Sequence, residues 1–307
     1  MRPKALNKLK SKCGFAVIIG APNVGKSTLV NYVVGTKVSI VSPKVQTTRS
    51  KVLGINISDN CQLILVDTPG IFAPKRRLDR AMVHSAWGGT EDSDLILLLV
   101  DSKRGVDSET QGIINNLKQF DKERKIFLVL NKVDLIQKDK LLNLTEKLSK
   151  TEIFKKIFMI SAKNGDGIDD LLDEINLLIP EGPWLFPEDQ ISDMPLRLLA
   201  AEITREKLYL KLHQELPYST VVETEEWQEK KDGSIRIEQT IFVERESQRS
   251  IVLGKGGKMI KSIGLESRTE FSKMVEVPVH LFLFVKVREK WGDNPIHYSN
   301  RGLKFNV

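Results

Sequence analysis

A glycine-rich run, Gly20-Ala21-Pro22-Asn23-Val24-Gly25-Lys26-Ser27, follows the apolar stretch Phe15–Ile19 and opens an amphipathic one. It fits G-x-x-x-x-G-K-[ST], and the strand–turn–helix setting is the one that motif requires. Backbone N–H groups in such a turn wrap phosphates, and the helix N-terminus faces them. Lys26 then bridges the β- and γ-phosphates, the Ser27 hydroxyl ligates Mg²⁺, and Thr28 continues into the helix. Composition alone produces such a match in roughly one chain of this size per hundred. The flanking pattern makes chance rarer still.

The pattern from Phe15 to Pro180 alternates short apolar runs with amphipathic stretches. The runs are Phe15–Ile19, Leu63–Val66, Leu95–Val100, Ile126–Leu130 and Ile157–Ile160. Continuous apolar strands separated by helical patterns predict a mostly parallel α/β sheet, six-stranded here, covered by helices on both faces. Lys51–Ser58 alternates more and reaches Leu63–Val66 through an Asp59-Asn60 turn, so these two read as an antiparallel edge hairpin. Ligands in such sheets lie beyond the carboxyl ends of the strands, which is where the remaining motifs fall.

Asp67-Thr68-Pro69-Gly70 ends one strand. Its carboxylate is suited to hold Mg²⁺ through water, and the Gly70 N–H to sense a γ-phosphate. Asn131-Lys132-Val133-Asp134 ends another. The Asp134 carboxylate can accept from both N1–H and the 2-amino group of guanine. Adenine offers neither donor there and would leave the carboxylate unpaired. Asn131 and the Lys132 stem brace the loop, and Ser161-Ala162-Lys163 offers a backbone N–H for guanine O6. In Gln46-Thr47-Thr48-Arg49, a threonine hydroxyl reaching Mg²⁺ only in the triphosphate state makes an order–disorder switch, and Thr48 is preferred to Thr47. Lys26, Thr48, Asp67 and Gly70, with Asn23, are therefore the candidate catalytic set, and Ser27, Thr48 and Asp67 the metal set.

In this order and spacing the four motifs resemble the translation-factor-like GTPases, and their wording narrows this to the Era-like branch. Ile71 stands where Ras-like enzymes carry the glutamine that orients water. The resemblance implies that Asn23 helps coordinate K⁺ beside the phosphates in place of an arginine finger, and turnover is expected to be slow.

Residues 181–194 carry Pro, Gly and acids without periodicity and read as a linker between a GTPase domain (1–180) and a second, α+β domain (195–290). A tail, 291–307, follows. The second domain reads as a helix from about Pro195 to Glu215, strands Ser219–Trp227 and Ser234–Glu244, a Gly-rich turn, a helix through about Met274 and a strand Val279–Arg288. Its turn, Gly254-Lys255-Gly256-Gly257, is the G-x-x-G with which KH domains clamp about four nucleotides. The element order, helix, strand, strand, helix, helix, strand with the turn between the two middle helices, is that of the helix-first (type II) KH fold. Arg249, Ile251, Lys255, Lys258 and Lys261 complete the candidate RNA surface. Lys+Arg against Asp+Glu counts 7 to 14 over 181–244 and 12 to 6 over 245–307, so the positive surplus falls on the segment bearing the turn. The acidic block reads as a solvated face, and Trp227 and Trp291 read as packing residues before base-stacking ones.

Further stretches resemble the Era family: Phe186-Pro187-Glu188-Asp189, Arg205-Glu206-Lys207, Glu215-Leu216-Pro217-Tyr218-Ser219, Val243-Glu244-Arg245-Glu246 and Pro278-Val279-His280-Leu281. The resemblance covers about residues 12–293 and leaves the tail after Asp293 unexplained. It implies a monomeric GTPase that binds the 3′ end of small-subunit ribosomal RNA and assists small ribosomal subunit assembly.

Cys13 and Cys61 sit in apolar runs as free thiols, which suits a reducing cytoplasm, bacterial or organellar. The longest apolar run is too short to span a bilayer. Two rival readings stand beside the switch. One is a plain RNA-binding module. The other is a membrane-associated GTPase whose basic start, Arg2 to Lys12, or Lys75-Arg76-Arg77 contacts anionic lipid.

Overall fold

A computed structural model describes residues 10–121, 123–213, 215–289, 291, 295–299 and 302–307. Arg2 at the head of the basic start, Gln214, Lys290 and Asp293 lie outside the described residues.

The first sheet has the order β2-β3-β1-β4-β5-β6: β1 Lys12–Ile19, β2 Val52–Ser58, β3 Cys61–Asp67, β4 Leu95–Asp101, β5 Ile126–Asn131 and β6 Lys156–Met159. Only the β2–β3 pair is antiparallel, closing through Asp59-Asn60. The strands are apolar throughout because alternate residues feed two cores. Ala16, Ile18, Leu95, Leu97 and Leu99 pack beneath α1 (Lys26–Val34) and α5 (Ile168–Leu178). Val17, Ile19, Ile96, Leu98 and Val100 pack beneath α2 (Arg77–Glu91), α3 (Ser108–Leu117) and α4 (Lys138–Ser149).

The second domain runs α6 (Leu196–Lys211), β7 (Val221–Glu229), β8 (Ile235–Val243), α7 (Glu246–Leu253), α8 (Lys258–Val275), β9 (Val279–Val287), the element order expected from the sequence. β8 pairs antiparallel with β7 and parallel with β9. Leu199, Ile203 and Leu208 of α6 and Ile263 and Phe271 of α8 cover one face of this sheet. The first helix stops at Lys211, short of Glu215, and β7 starts two residues later than Ser219. A single 3₁₀ turn, Pro217–Ser219, lies between them, with Pro217 at its first position. A short helix, α9 (Pro295–Ser299), follows. Trp227 packs edge-on against Phe271 at 5.9 Å, and Trp291 is buried with its indole N–H on the Ser219 carbonyl.

The linker is not loose. The Gln62 side chain, wholly buried, accepts from the N–H groups of Leu185 and Phe186 and donates to the Phe186 carbonyl. Farther on, the outer edge of β2 is met by the chain around Ser192. The Ile55 N–H donates to the Ile191 carbonyl and the Leu53 N–H to the Asp193 carboxylate, each at 2.9 Å. No described helix is long and apolar enough to cross a membrane.

Candidate nucleotide site and its contact with the second domain

The parallel pairing sets Ile18 beside Asp67 and Asp101 beside Asn131, so the loops after β1, β3, β4 and β5 gather at one edge. A cleft of about 440 Å³ opens there, lined by Pro22, Asn23, Gly25 to Thr28, the 40–48 segment, Gly70 and Lys132. A larger cleft, about 940 Å³, lies elsewhere, between α2 and the start of α6, and contains none of the motif residues.

Lys26 is buried, and its ammonium rests on the carbonyls of Gly20 (3.2 Å) and Ala21 (3.0 Å). Burial lowers its pKa to about 8, against the attraction of Asp67 and Glu109. Two neutral acceptors are poor company for a buried cation, and a polyphosphate is the partner that would restore its charge.

Ser27 Oγ lies 2.6 Å from Asp67 Oδ2 and 2.9 Å from Thr48 Oγ1. Ser39, which the sequence reading missed, donates to the same Asp67 oxygen at 2.7 Å. Asp67 is fully buried, burial pushes its carboxyl pKa up, and its Oδ1 has no hydrogen-bond partner. An orphaned buried carboxylate oxygen beside two hydroxyls is a hard-oxygen donor set of the kind Mg²⁺ takes alongside phosphates. Thr47 turns away, bonded to Ser42 and the Lys44 carbonyl. The structure thus gathers Ser27, Thr48 and Asp67 and leaves Thr47 outside.

Gly70 packs on the phosphate loop so closely that a Cβ there would sit 2.9 Å from the Pro22 ring and 3.0 Å from Pro22 Cα. Thr68 donates to the Ile18 carbonyl and Ile71 N–H to the Gly20 carbonyl, fixing the approach. The Ile71 side chain is buried in the second sheet-face core and points nothing polar at the cleft. Asn23 has a left-handed backbone and donates from Nδ2 to the Pro43 carbonyl at 2.7 Å.

At the Asn131-to-Asp134 end of the cleft, Asn131 is a buried rivet. Its Nδ2 donates to the Val24 carbonyl, and its Oδ1 accepts from the N–H groups of Lys132 and Ala162. The Ala162 amide, one candidate for guanine O6, is therefore already engaged. Lys132 reaches the Asn23 carbonyl (2.7 Å) and Asp101 (2.6 Å); Asp101, the acid that follows the third apolar run, was assigned nothing from sequence. Val133 begins a 3₁₀ turn that presents Asp134 at the surface, where Ser161 donates to its carboxylate at 2.7 Å while Lys163 stays exposed.

The segment between Lys37 and Arg49 is also an interface. Lys37 pairs with Glu206 and Glu270, and the Val41 N–H donates to Glu206. Lys44 caps the carbonyls of Tyr209 and Leu212, and Arg205, buried and paired with Glu202, reaches the Thr47 carbonyl. Arg49, directly after Thr48, is 2% exposed. Its guanidinium donates to the Thr220 carbonyl (3.0 Å) and the Tyr209 hydroxyl (2.9 Å), with Trp291 5.8 Å away. Sequence reading placed Arg49 in a polar loop and assigned it nothing.

In the second domain Gly254, Gly256 and Gly257 all have positive φ, and Cβ atoms at the last two would meet nothing. Backbone conformation, not crowding, demands glycine there, and the open space leaves the amides approachable. Ile251, Lys255, Lys258 and Lys261 are exposed around the turn, whereas Arg249 folds back onto Glu246. Lys75-Arg76-Arg77 is not a free basic loop. Arg76 pairs with Glu215, and Arg77 begins α2 with its guanidinium 4.4 Å from the Phe305 ring centre.

A family model described as a 50S ribosome-binding GTPase matches residues 15–132, and a KH-domain model matches 215–292. The chain is 61% identical over 295 residues to the GTPase Era of Bradyrhizobium diazoefficiens, covering 96% of this chain and 95% of that one. It is 58% identical to that of Agrobacterium fabrum over 97% of this chain and 94% of the other. Among solved structures it superposes on an Era in complex with MgGDPNP and nucleotides 1506–1542 of 16S ribosomal RNA, with a TM-score of 0.90 and 39% identity over 97% of this chain and all of that one. An Aquifex aeolicus Era bound to GDP·AlF4⁻ gives a TM-score of 0.89 at 39% identity, covering 96% and 100%.

Proposed function

The chain belongs to the Era family of GTPases, and from that membership we propose a GTP-driven switch that grips the 3′ end of small-subunit ribosomal RNA with its KH turn and assists small-subunit assembly in the cytoplasm. One observation carries the coupling. The residue after Thr48, whose hydroxyl meets Ser27, is Arg49, and Arg49 is buried against the second domain. A change at the γ-phosphate that moves Thr48 therefore moves the anchor of the second domain with it.

Ser27, Thr48 and Asp67 would hold Mg²⁺, which neutralises phosphate charge when bound. Lys26 binds phosphate oxygens, the Gly70 amide reads the terminal phosphate, and Asp134 held by Ser161 selects guanine. With Ile71 buried, its position cannot orient water as the Ras glutamine does, and hydrolysis needs another means of positioning it. Asn23 lies on the phosphate loop with its amide nitrogen donating to the Pro43 carbonyl, and K⁺ as a second cation beside it rests on the family resemblance alone. Equal turnover in Na⁺ and K⁺ counts against that part. Of the Lys75-Arg76-Arg77 run, Arg76 pairs with Glu215 at the surface and Arg77 lies over the Phe305 ring.

The test is RNA affinity for a 16S 3′-end oligonucleotide with GDP and with a non-hydrolysable GTP analogue. A difference of about tenfold or more is expected, and equal affinity removes the coupling. The doubly substituted Lys255→Asp, Gly256→Asp protein should lose RNA binding while keeping its basal GTPase rate.

A further inference from the structure

α2 is apolar on two faces. Val83, Ala86 and Trp87 pack on the first sheet. Leu78, Ala81 and Met82 face the other way, and Ala81 and Met82 are 1% and 0% exposed although no strand lies over them. What covers them comes from the far end of the chain: Tyr298, Leu303, Phe305 and Val307. Phe305 stacks edge-on with Tyr298 at 5.0 Å and receives the Arg77 guanidinium on its face, while Arg80 donates to the Val307 carbonyl at 3.1 Å.

This cladding reaches the chemistry by short steps. Phe72, two residues after Gly70, sits in the same cluster. Asp79 of α2 accepts from Gln46 at 2.9 Å, two residues before Thr48. Leu78 also touches the cluster of Val221, Phe242 and Trp291, and Trp291 flanks Arg49. One stretch of chain, leaving the KH sheet at β9, therefore contacts the segments that carry both Thr48 and Gly70.

We propose that the described residues of the 291–307 segment are positioning residues for GTP hydrolysis: they hold α2 and Phe72 so that the Gly70 amide meets the terminal phosphate. They touch neither nucleotide nor metal, and they act through α2. The inference rests on the GTPase activity and is independent of the RNA reading. Displacement of catalytic groups by a fraction of an ångström is enough to slow an enzyme strongly.

The experiment compares the full chain with a variant lacking residues 302–307, with Phe305→Ala and with Phe305→Tyr, measuring kcat for GTP and the Kd for GDP. Removing the segment or the ring should lower kcat about tenfold while GDP affinity, set by the phosphate loop and Asp134, stays within about twofold. Phe305→Tyr keeps the aromatic face toward Arg77 and should restore kcat. A purely structural role would lower the melting temperature and leave kcat alone. If the truncated protein loses GDP binding as well, Phe305→Ala decides. A wild-type or raised kcat in Phe305→Ala overturns the proposal.

Discussion

Replacing Arg49 with Met keeps the aliphatic stem and removes the guanidinium from its pocket. The Thr220 carbonyl and the Tyr209 hydroxyl, both on fully buried residues, each lose a charged donor at 3.0 and 2.9 Å. A bond from a charged donor contributes about 1.5–3 kcal/mol, so the two together contribute about 3–6 kcal/mol. Against that, the cation no longer has to be desolvated; burial already pulls the Arg49 pKa down, and relieving it returns a few kcal/mol. A net loss of about 1–3 kcal/mol follows, which for a chain of this size lowers the unfolding midpoint by about 2–5 °C. Arg49→Lys should not rescue, because one ammonium cannot reach both acceptors as the fork does. The functional half of the assay is the ratio of affinities for a GTP analogue and GDP, which should fall about tenfold as Thr48 loses its anchor. An unchanged midpoint together with an unchanged ratio would falsify the claim that this side chain ties the switch to the second domain.

Asp134→Asn should exchange guanine preference for xanthine, read by competition of GTP and XTP for the site; retained GTP selectivity sinks the base assignment. Thr48→Ala should weaken Mg²⁺-dependent analogue binding by about tenfold, whereas Thr47→Ala, with its hydroxyl on Ser42 and the Lys44 carbonyl, should leave it within about twofold. Glu270 supplies a pH signature. Burial pushes its carboxyl up, but the bonds from Lys207 and Lys37 outweigh this and hold it below the ordinary value of 4.5. A depressed folded pKa gives stabilisation that is present above the unfolded value and lost as pH falls through the folded one. Thermal midpoints should therefore drop on acidification below pH 4.5, and Lys37→Met should shrink that drop; an identical acid profile refutes the contribution.

The phosphate loop, the Asp67-to-Gly70 turn and the Asn131-to-Asp134 loop were readable because each needs special residues at adjacent positions, in a context set by local periodicity. Thr48 over Thr47 was readable only as a preference, since nothing local distinguishes two neighbouring hydroxyls; the distinction comes from Ser42 capturing one of them. The interface contacts of Arg49, Glu206 and Lys44 were invisible for a different reason. A charged residue in a loop ordinarily faces water, and only the packing of α6 against that loop turns these charges inward. The tail carried a faint signal in Tyr298, Leu303 and Phe305, apolar residues with no periodic element to belong to. Their partners lie over 200 positions away on the outer apolar face of α2. Cys13 and Cys61 are free thiols, half-buried and buried.

The linker bonded along β2 has a consequence for how the protein is allowed to move. An unpaired outer strand is a template for chains of other molecules, and proteins that leave one bare invite aggregation. Here alternate amides of that strand, at Leu53 and Ile55, are sealed by the chain's own Asp193 and Ile191. A switch that separated its domains by peeling this segment away would open a sticky edge in every cycle of nucleotide exchange. The seal ends at Asp193, and Pro195 starts the next helix, so a swing of the second domain that keeps the edge closed must pivot on the one or two bonds between them. Lengthening that junction by a few glycines should leave both domains folded, both ligands bound and the Arg49 anchor still coupling them.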